Sequence, residues 1–356
     1  MSEITIAWEQ MASYFPNIQQ FNRTHQQMIQ VKQSLSTRRL RLLITNRFSS
    51  VPLVITHLTV ASTVRDEKAV TLGKQTTFII PAGQDQWTDW IDLPVVAGDW
   101  LTIKLTSPTT SPQTLMQTLD QSVIKLASLK QDKWFGVAAV AVETAMPKKQ
   151  LLLFGDSLTN QGYYSAALSQ LLWAQQPNQW GVINGGISGN RLLRPGHSTS
   201  VWSPSFGAAG LGRFEALLTG HSINHVIFMA GINDLLHPGT GSPMSELPTA
   251  DALVAGFRRV QQLADQAQLV LQFMTITPFK GSRLDDHVAW TPQKETIRQR
   301  VNQALLDMPN TIDIAKFVAE PADPQQLAAE FDCGDHIHFS PVGGRQVAQS
   351  VLNHWA

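Results

Sequence analysis

The chain has one cysteine, Cys333, so no intrachain disulfide can form and the fold must be held by packing alone. It also lacks any excess of charge: Lys plus Arg and Asp plus Glu both number 27, giving a net charge of zero. With no dense Lys/Arg run either, the electrostatic footprint of a nucleic-acid partner is missing. No stretch approaches the roughly 18 uninterrupted apolar residues of a membrane span. The opening MSEITIAWEQ carries an early acid and has no basic segment leading into an apolar one. A secretory leader is therefore not expected, and the cytoplasm is the expected compartment. Internal repeats and low-complexity tracts are absent too. What remains is 356 residues, 43% hydrophobic and 15% charged, the balance of a globular chain long enough for two domains.

Up to Ala145 the dominant pattern is two-residue alternation. Leu40, Leu42 and Ile44 alternate with Arg39, Arg41 and Leu43; Leu101, Ile103 and Leu105 alternate with Trp100, Thr102 and Lys104. Val54, Leu58 and Val60 share a parity. Pro81-Ala82-Gly83 and Ala97-Gly98-Asp99 supply turns between such runs. Short alternating strands separated by turns predict an antiparallel β-sandwich. Gln113 to Asp132 breaks the rhythm and reads as a helix or a long connection, and Phe135 to Thr144 as a last strand. The polar stretch Pro147-Lys148-Lys149 marks a boundary, giving a β domain over 1–146 and a second domain over 147–356.

After Gln150 apolar runs alternate with helical patterns. The runs are Leu151–Phe154, Gly181–Ile183, His225–Met229, Leu269–Thr275 and Ile312–Ala315. Helices are expected over Gly162–Gln175, Arg213–Leu218, Gln293–Met308 and Val342–Trp355. Another is expected over Thr249–Gln268, where Thr249 can cap and Leu253, Phe257, Val260 and Leu263 form one stripe. Strand–helix alternation predicts an α/β fold with a parallel sheet between helical layers.

Small polar constellations sit at the ends of three runs and before the last helix. They are Gly155-Asp156-Ser157, Asn184 to Asn190 (NGGISGN), Gly231-Ile232-Asn233-Asp234, and Gly334-Asp335-His336-Ile337-His338. Nucleophilic acyl transfer needs a serine, a base, an acid to orient the base, and donors for the oxyanion. Ser157 and Asp335-x-x-His338 can supply the first three. Gly189 can bring a bare backbone N–H close to a ligand, and Asn233 can point an amide N–H at the same place.

The blocks GDSL at 155–158, GISGN at 186–190, GIND at 231–234 and DHIH at 335–338 resemble, in order, those of the SGNH (GDSL) hydrolase family. The resemblance covers about the last 200 residues. The whole chain looks like the bacterial branch in which a β-sandwich precedes the hydrolase, with RRLRLLITN and IIPAG similar to that sandwich. It implies a three-layer, flavodoxin-like α/β/α domain after a jelly-roll-like all-β sandwich. It implies Ser157 as nucleophile, His338 as base and Asp335 as its partner, with Ser157, Gly189 and Asn233 as the oxyanion hole. The family needs neither metal nor organic cofactor. This sequence departs from the family where proline usually follows the histidine, having Phe339-Ser340-Pro341 there.

The implied activity is ester hydrolysis on short-chain acyl or O-acetyl carbohydrate esters, small-molecule or sugar-borne. Lysophospholipase or thioesterase activity is an alternative within the family. A carbohydrate-binding protein with a vestigial hydrolase domain is the alternative outside it. The loop Leu192–Gly212 is expected to line the substrate pocket, with Asn190, Arg191 and Trp202 as contacts. Asp332, four residues from His336, competes with Asp335 as orienting acid, and the family pattern selects Asp335. His336 with His338 forms a His-x-His pair, but no H-E-x-x-H or Cys pair accompanies it, so no metal is expected. GAAGLG at 207–212 lacks the dinucleotide spacing. Cys333, His221, His225 and His237 read as packing, surface or satisfied positions, and Trp87, Trp90 and Trp100 as core or as a sugar-stacking platform.

Overall fold

The alternation of the first 145 residues builds antiparallel sheets. A computed structural model describes residues 3–16, 26–63, 65–126, 132–145, 148–284 and 286–355, so Pro147 of the expected boundary lies outside the described residues. Contacts divide the chain into two compact units, Met1–Gln150 with Leu172–Asn184, and Leu151–Leu171 with Gly185–Ala356.

In the first unit, strand Thr37–Thr45 lies between Ile91–Val95 and Lys133–Thr144, and the latter pairs in turn with Glu3–Gln10. A second sheet runs Ile124–Leu126, Gln26–Lys32, Trp100–Thr106, His57–Ser62, Arg65–Ala69, all antiparallel. Leu40, Leu42 and Ile44 of the first sheet and Leu101, Ile103 and Leu105 of the second are buried, as their alternation requires. The sheets meet face to face: a Cβ on Gly136 would stand 2.8 Å from Leu105 Cδ1. The Gln27 amide spans them, donating to Phe135 O (2.5 Å) and accepting from Phe135 N (3.3 Å).

Two expectations differ here. Gln113–Asp132 holds two short strands, Thr114–Gln117 and Ile124–Leu126, and its residues 127–131 lie outside the described residues. Val54 does not share a face with Leu58 and Val60; it sits between buried Leu53 and Ile55 in a separate strand paired with Phe78–Ile80. Parity counted across the end of one strand and the start of the next carries no facing information.

In the second unit, Leu151–Gly155 pairs in parallel with His225–Met229, which pairs in parallel with Val270–Phe273. Main-chain bonding extends to Ile312 through an isolated bridge with Met274. The expected strand Ile312–Ala315 goes no further, because Asp313 caps a helix, Ile314–Val318, its carboxylate accepting from Lys316 N. Helices Ser165–Gln175, Gly210–Gly220, Ala250–Gln266, Pro292–Leu306 and Pro341–Asn353 follow the predicted patterns within a few residues. Thr249, Thr291 and Ser340 cap three of them through side-chain oxygens; each cap contributes about 1 kcal/mol. Helices packed on a parallel sheet give the α/β/α layers.

The core of this unit is aromatic. Phe154 stacks on Phe228 at 4.8 Å, Phe214 meets Phe154 edge-on at 5.5 Å, and Phe257 meets Phe273 at 5.6 Å. All five rings are fully buried, each contributing about 1.5–3 kcal/mol. They fix the strands just before the carboxyl ends where the polar blocks begin. No helix among the described residues is long and apolar enough to cross a membrane.

Candidate active site

Ser157 opens a one-turn helix, Ser157–Asn160, directly after the first parallel strand. Asp156 caps that turn, its carboxylate accepting from Leu158 N at 3.0 Å. The glycine before it is demanded by close packing, since a Cβ on Gly155 would meet Thr159 Oγ1 at 2.2 Å and Met229 O at 2.4 Å. The turn therefore holds the serine hydroxyl at the strand's carboxyl end, where α/β sheets place their ligands.

Ser157 Oγ is hydrogen-bonded to His338 Nε2 at 2.7 Å. His338 Nδ1 bonds Asp335 Oδ2 at 2.6 Å, while the other carboxylate oxygen accepts the backbone N–H groups of Ile337 (2.9 Å) and His338 (2.8 Å). Partial burial alone would push the Asp335 carboxyl up; its bonds to the His338 ring and to those amides outweigh this and hold it well below the usual carboxylate range. An ionised carboxylate only accepts, so Nδ1 donates to Asp335 and Nε2 is the ring nitrogen that faces Ser157. Asp332 takes the other histidine, its Oδ2 lying 2.8 Å from His336 Nδ1. Each of the two acids thus faces its own histidine. Asp332, Cys333 and Asp335 are a group whose ligand atoms cluster within 4.8 Å. Both carboxylates already bind the turn's own amides and imidazoles, and the Cys333 thiol is pushed up to about 11, first by partial burial and then by the Asp335 charge.

On the other side lies the turn Ile187–Asn190, closed by Asn190 N donating to Ile187 O at 3.1 Å. Gly189 sits there at φ 75°, a left-handed conformation costly for any residue with a Cβ. Asn233, buried in helix Ile232–Leu236, donates one amide hydrogen to Asn190 O at 3.1 Å and keeps a second. Asp234 ties the same helix to the following loop, accepting from Leu192 N (2.6 Å) and Leu193 N (3.0 Å). Burial pushes its carboxyl up to about 6, with those two bonds and the Arg191 charge opposing.

The expected pocket contacts fall differently. Asn190 directs its side chain into the loop, donating to Phe206 O and Ala208 O at 2.7 Å each. Arg191 is 1% exposed and pairs with Glu246 at 2.5 Å. Trp202 is 49% exposed at the start of the 3₁₀ turn Ser203–Phe206. Asn190 and Arg191 thus build the loop, and of the three only Trp202 is exposed. His237 is also deeply buried, with Nδ1 unbonded among the described residues, and is pulled down to about 4 by burial and by the Arg191 and Lys294 charges. In the first unit Arg41 lies over both Trp87 (4.7 Å) and Trp90 (4.9 Å), and Lys125 over Trp100 (4.2 Å).

Two participants were not singled out from sequence. Asp156 is buried with Oδ2 unbonded among the described residues, and burial pushes it up to about 7 against the Leu158 amide and the His338 charge. Arg213 donates to Gly155 O, Gly185 O and Asn190 Oδ1, fastening the serine turn to the Gly189 turn. Asp156 was in plain view inside GDSL; Arg213, in an amphipathic helix, carried no signal.

No curated protein matches the chain. Similar solved structures include a GDSL-like lipase from Bacteroides thetaiotaomicron, 16% identical over 59% of this chain and 89% of its own, TM-score 0.41. An inhibitor-bound M. smegmatis aryl esterase is 19% identical over 58% of this chain and 100% of its own, TM-score 0.41. The acetyl xylan esterase AlAXEase is 19% identical over the same shares, TM-score 0.40. The model of the GDSL-like lipase/acylhydrolase family matches residues 153–346, more than half of the chain and spanning all four polar blocks. The chain belongs to the GDSL-like lipase/acylhydrolase family and is an ester-hydrolysing enzyme.

Proposed function

We propose that this chain is a serine esterase that cleaves short-chain acyl or O-acetyl carbohydrate esters through an acyl-enzyme. The hydrolase is residues 147–356, and residues 1–146 are an accessory β domain. The observation that carries the reading is the hydrogen-bond chain from Ser157 through His338 to Asp335. Ser157 Oγ attacks the ester carbonyl while His338 Nε2 takes its proton, and Asp335 stabilises the imidazolium. The carbonyl oxygen gains charge and is met by the N–H groups of Ser157 and Gly189 and the free amide hydrogen of Asn233. His338 then protonates the leaving alkoxide oxygen as the carbon–oxygen bond breaks. Water, deprotonated by the same ring, attacks the acyl-serine; the carboxylic acid leaves and Ser157 recovers its proton.

The test is hydrolysis of p-nitrophenyl acetate, butyrate and octanoate by the protein and by Ser157→Ala. Turnover that falls by several orders of magnitude in the variant is expected. A variant as fast as the parent rejects the nucleophile.

A further inference from the structure

The loop Leu192–Gly212 closes over one side chain in particular. Phe206 ends the 3₁₀ turn Ser203–Phe206, and its carbonyl is held by the Asn190 amide at 2.7 Å. Behind it the chain is pressed close: a Cβ on Gly196 would stand 2.1 Å from Phe206 Cβ, and Gly196 N donates to Gly207 O at 2.8 Å. In front, the ring lies against Gly189, where a Cβ would meet Cδ1 at 2.1 Å, Cε1 at 2.4 Å and Cγ at 2.6 Å. Its centroid is 4.9 Å from that of His237. The His237 N–H donates to Asn233 O at 3.2 Å, so His237 lies one helical turn beyond Asn233. One half-buried ring thus touches Gly189 itself and the helix that carries Asn233.

A substrate carbonyl oxygen between those two donors fixes where the other substituents of its carbon go. The leaving oxygen must face His338 Nε2, which gives it a proton. The acyl chain takes the remaining direction, along the donors and away from His338, and there it meets Phe206. The ring cannot yield toward Gly189, which it already faces, and its Cβ and backbone are pressed against Gly196. Beyond it is the buried imidazole of His237, a polar group with one nitrogen unbonded among the described residues, which an alkyl chain cannot satisfy.

We infer that Phe206 is the specificity-determining wall of the acyl pocket, closing it to all but short acyl groups such as acetyl. The inference rests on the esterase reading above and deepens it by assigning the acyl half of the substrate.

The experiment measures kcat/KM on p-nitrophenyl acetate, butyrate and octanoate for the full-length protein, Phe206→Ala and Phe206→Leu. Diethyl fluorophosphonate labelling of Ser157 runs alongside as a measure of an assembled nucleophile that does not depend on chain length. The parent should prefer acetate. Phe206→Ala should raise the octanoate-to-acetate ratio by about tenfold or more, since methylenes in a pocket discriminate at that level. Phe206→Leu should fall between, and decides the matter if the alanine variant does not fold. A parent that hydrolyses octanoate as well as acetate overturns the inference. So does an unchanged ratio in a variant that still labels, and in both cases the esterase reading stands. A parent that does not label at all overturns the esterase reading and the pocket with it.

Discussion

Replacing Gly189 by alanine tests how the turn proposed to bind the oxyanion is built. The added methyl faces two costs. The backbone at φ 75° is left-handed, which costs an L-residue about 1–2 kcal/mol. The methyl would also overlap the Phe206 ring, with three ring atoms at 2.1–2.6 Å, and overpacking of this kind costs about 1–3 kcal/mol. Together Gly189→Ala should destabilise the protein by about 2–5 kcal/mol. The two terms separate in a double-mutant cycle with Phe206→Ala, because deleting the ring removes the overlap and leaves the backbone cost. The cycle should give a favourable coupling of about 1–3 kcal/mol, read from guanidinium unfolding of the four proteins. Costs that simply add, within about 0.5 kcal/mol, would show that the ring does not press on the turn.

Other expectations follow from the same geometry. Asn233→Ala should lower kcat by about 10²–10³, on the order of 2.7–4 kcal/mol, and wild-type turnover would remove Asn233 from the oxyanion site. Asp156 has its folded pKa raised by burial to about 7, against about 3.9 when unfolded, so its contribution is complete below about pH 4 and lost as pH rises through about 7. Asp156→Asn keeps an oxygen for the Leu158 amide and removes that titration. Its stability relative to the parent should therefore rise between pH 5 and 8 by a few kcal/mol; a difference that is flat with pH contradicts this. Glu295 and Arg298 form a bidentate pair, each 6% exposed, and Arg298 also donates to Ile276 O. Glu295→Ala, which leaves that cation buried without its counter-charge, should cost about 3–5 kcal/mol in denaturant unfolding.

The four polar blocks were legible because each is local: a strand end, a turn and its neighbours must be contiguous, so the chemistry is written in consecutive letters. Leu151–Phe154 and His225–Met229 were legible as buried runs for the same reason. Ile312–Ala315 was misread because an apolar run does not say whether it pairs or turns, and the Asp313 cap decides. The pairing of Asp335 with His338 and of Asp332 with His336 depends on the rotation of a turn in which His336 has φ 62°, which no spacing reveals. Arg191 looked like a substrate ligand and is a buried strut; its partner Glu246 lies 55 residues away. Long-range pairs of this sort leave no local pattern. The packing of Phe206 on Gly189 is another, although its loop stood out by length.

The central claim is that Ser157 is the nucleophile of an acyl-enzyme. The most direct test is incubation of the full-length protein with a fluorophosphonate, followed by peptide mass mapping, with His338→Ala as the control lacking the base. The account predicts stoichiometric modification of Ser157 in the parent and labelling slowed by orders of magnitude without His338. A folded parent that stays unmodified at Ser157, or labelling that does not depend on His338, would contradict it.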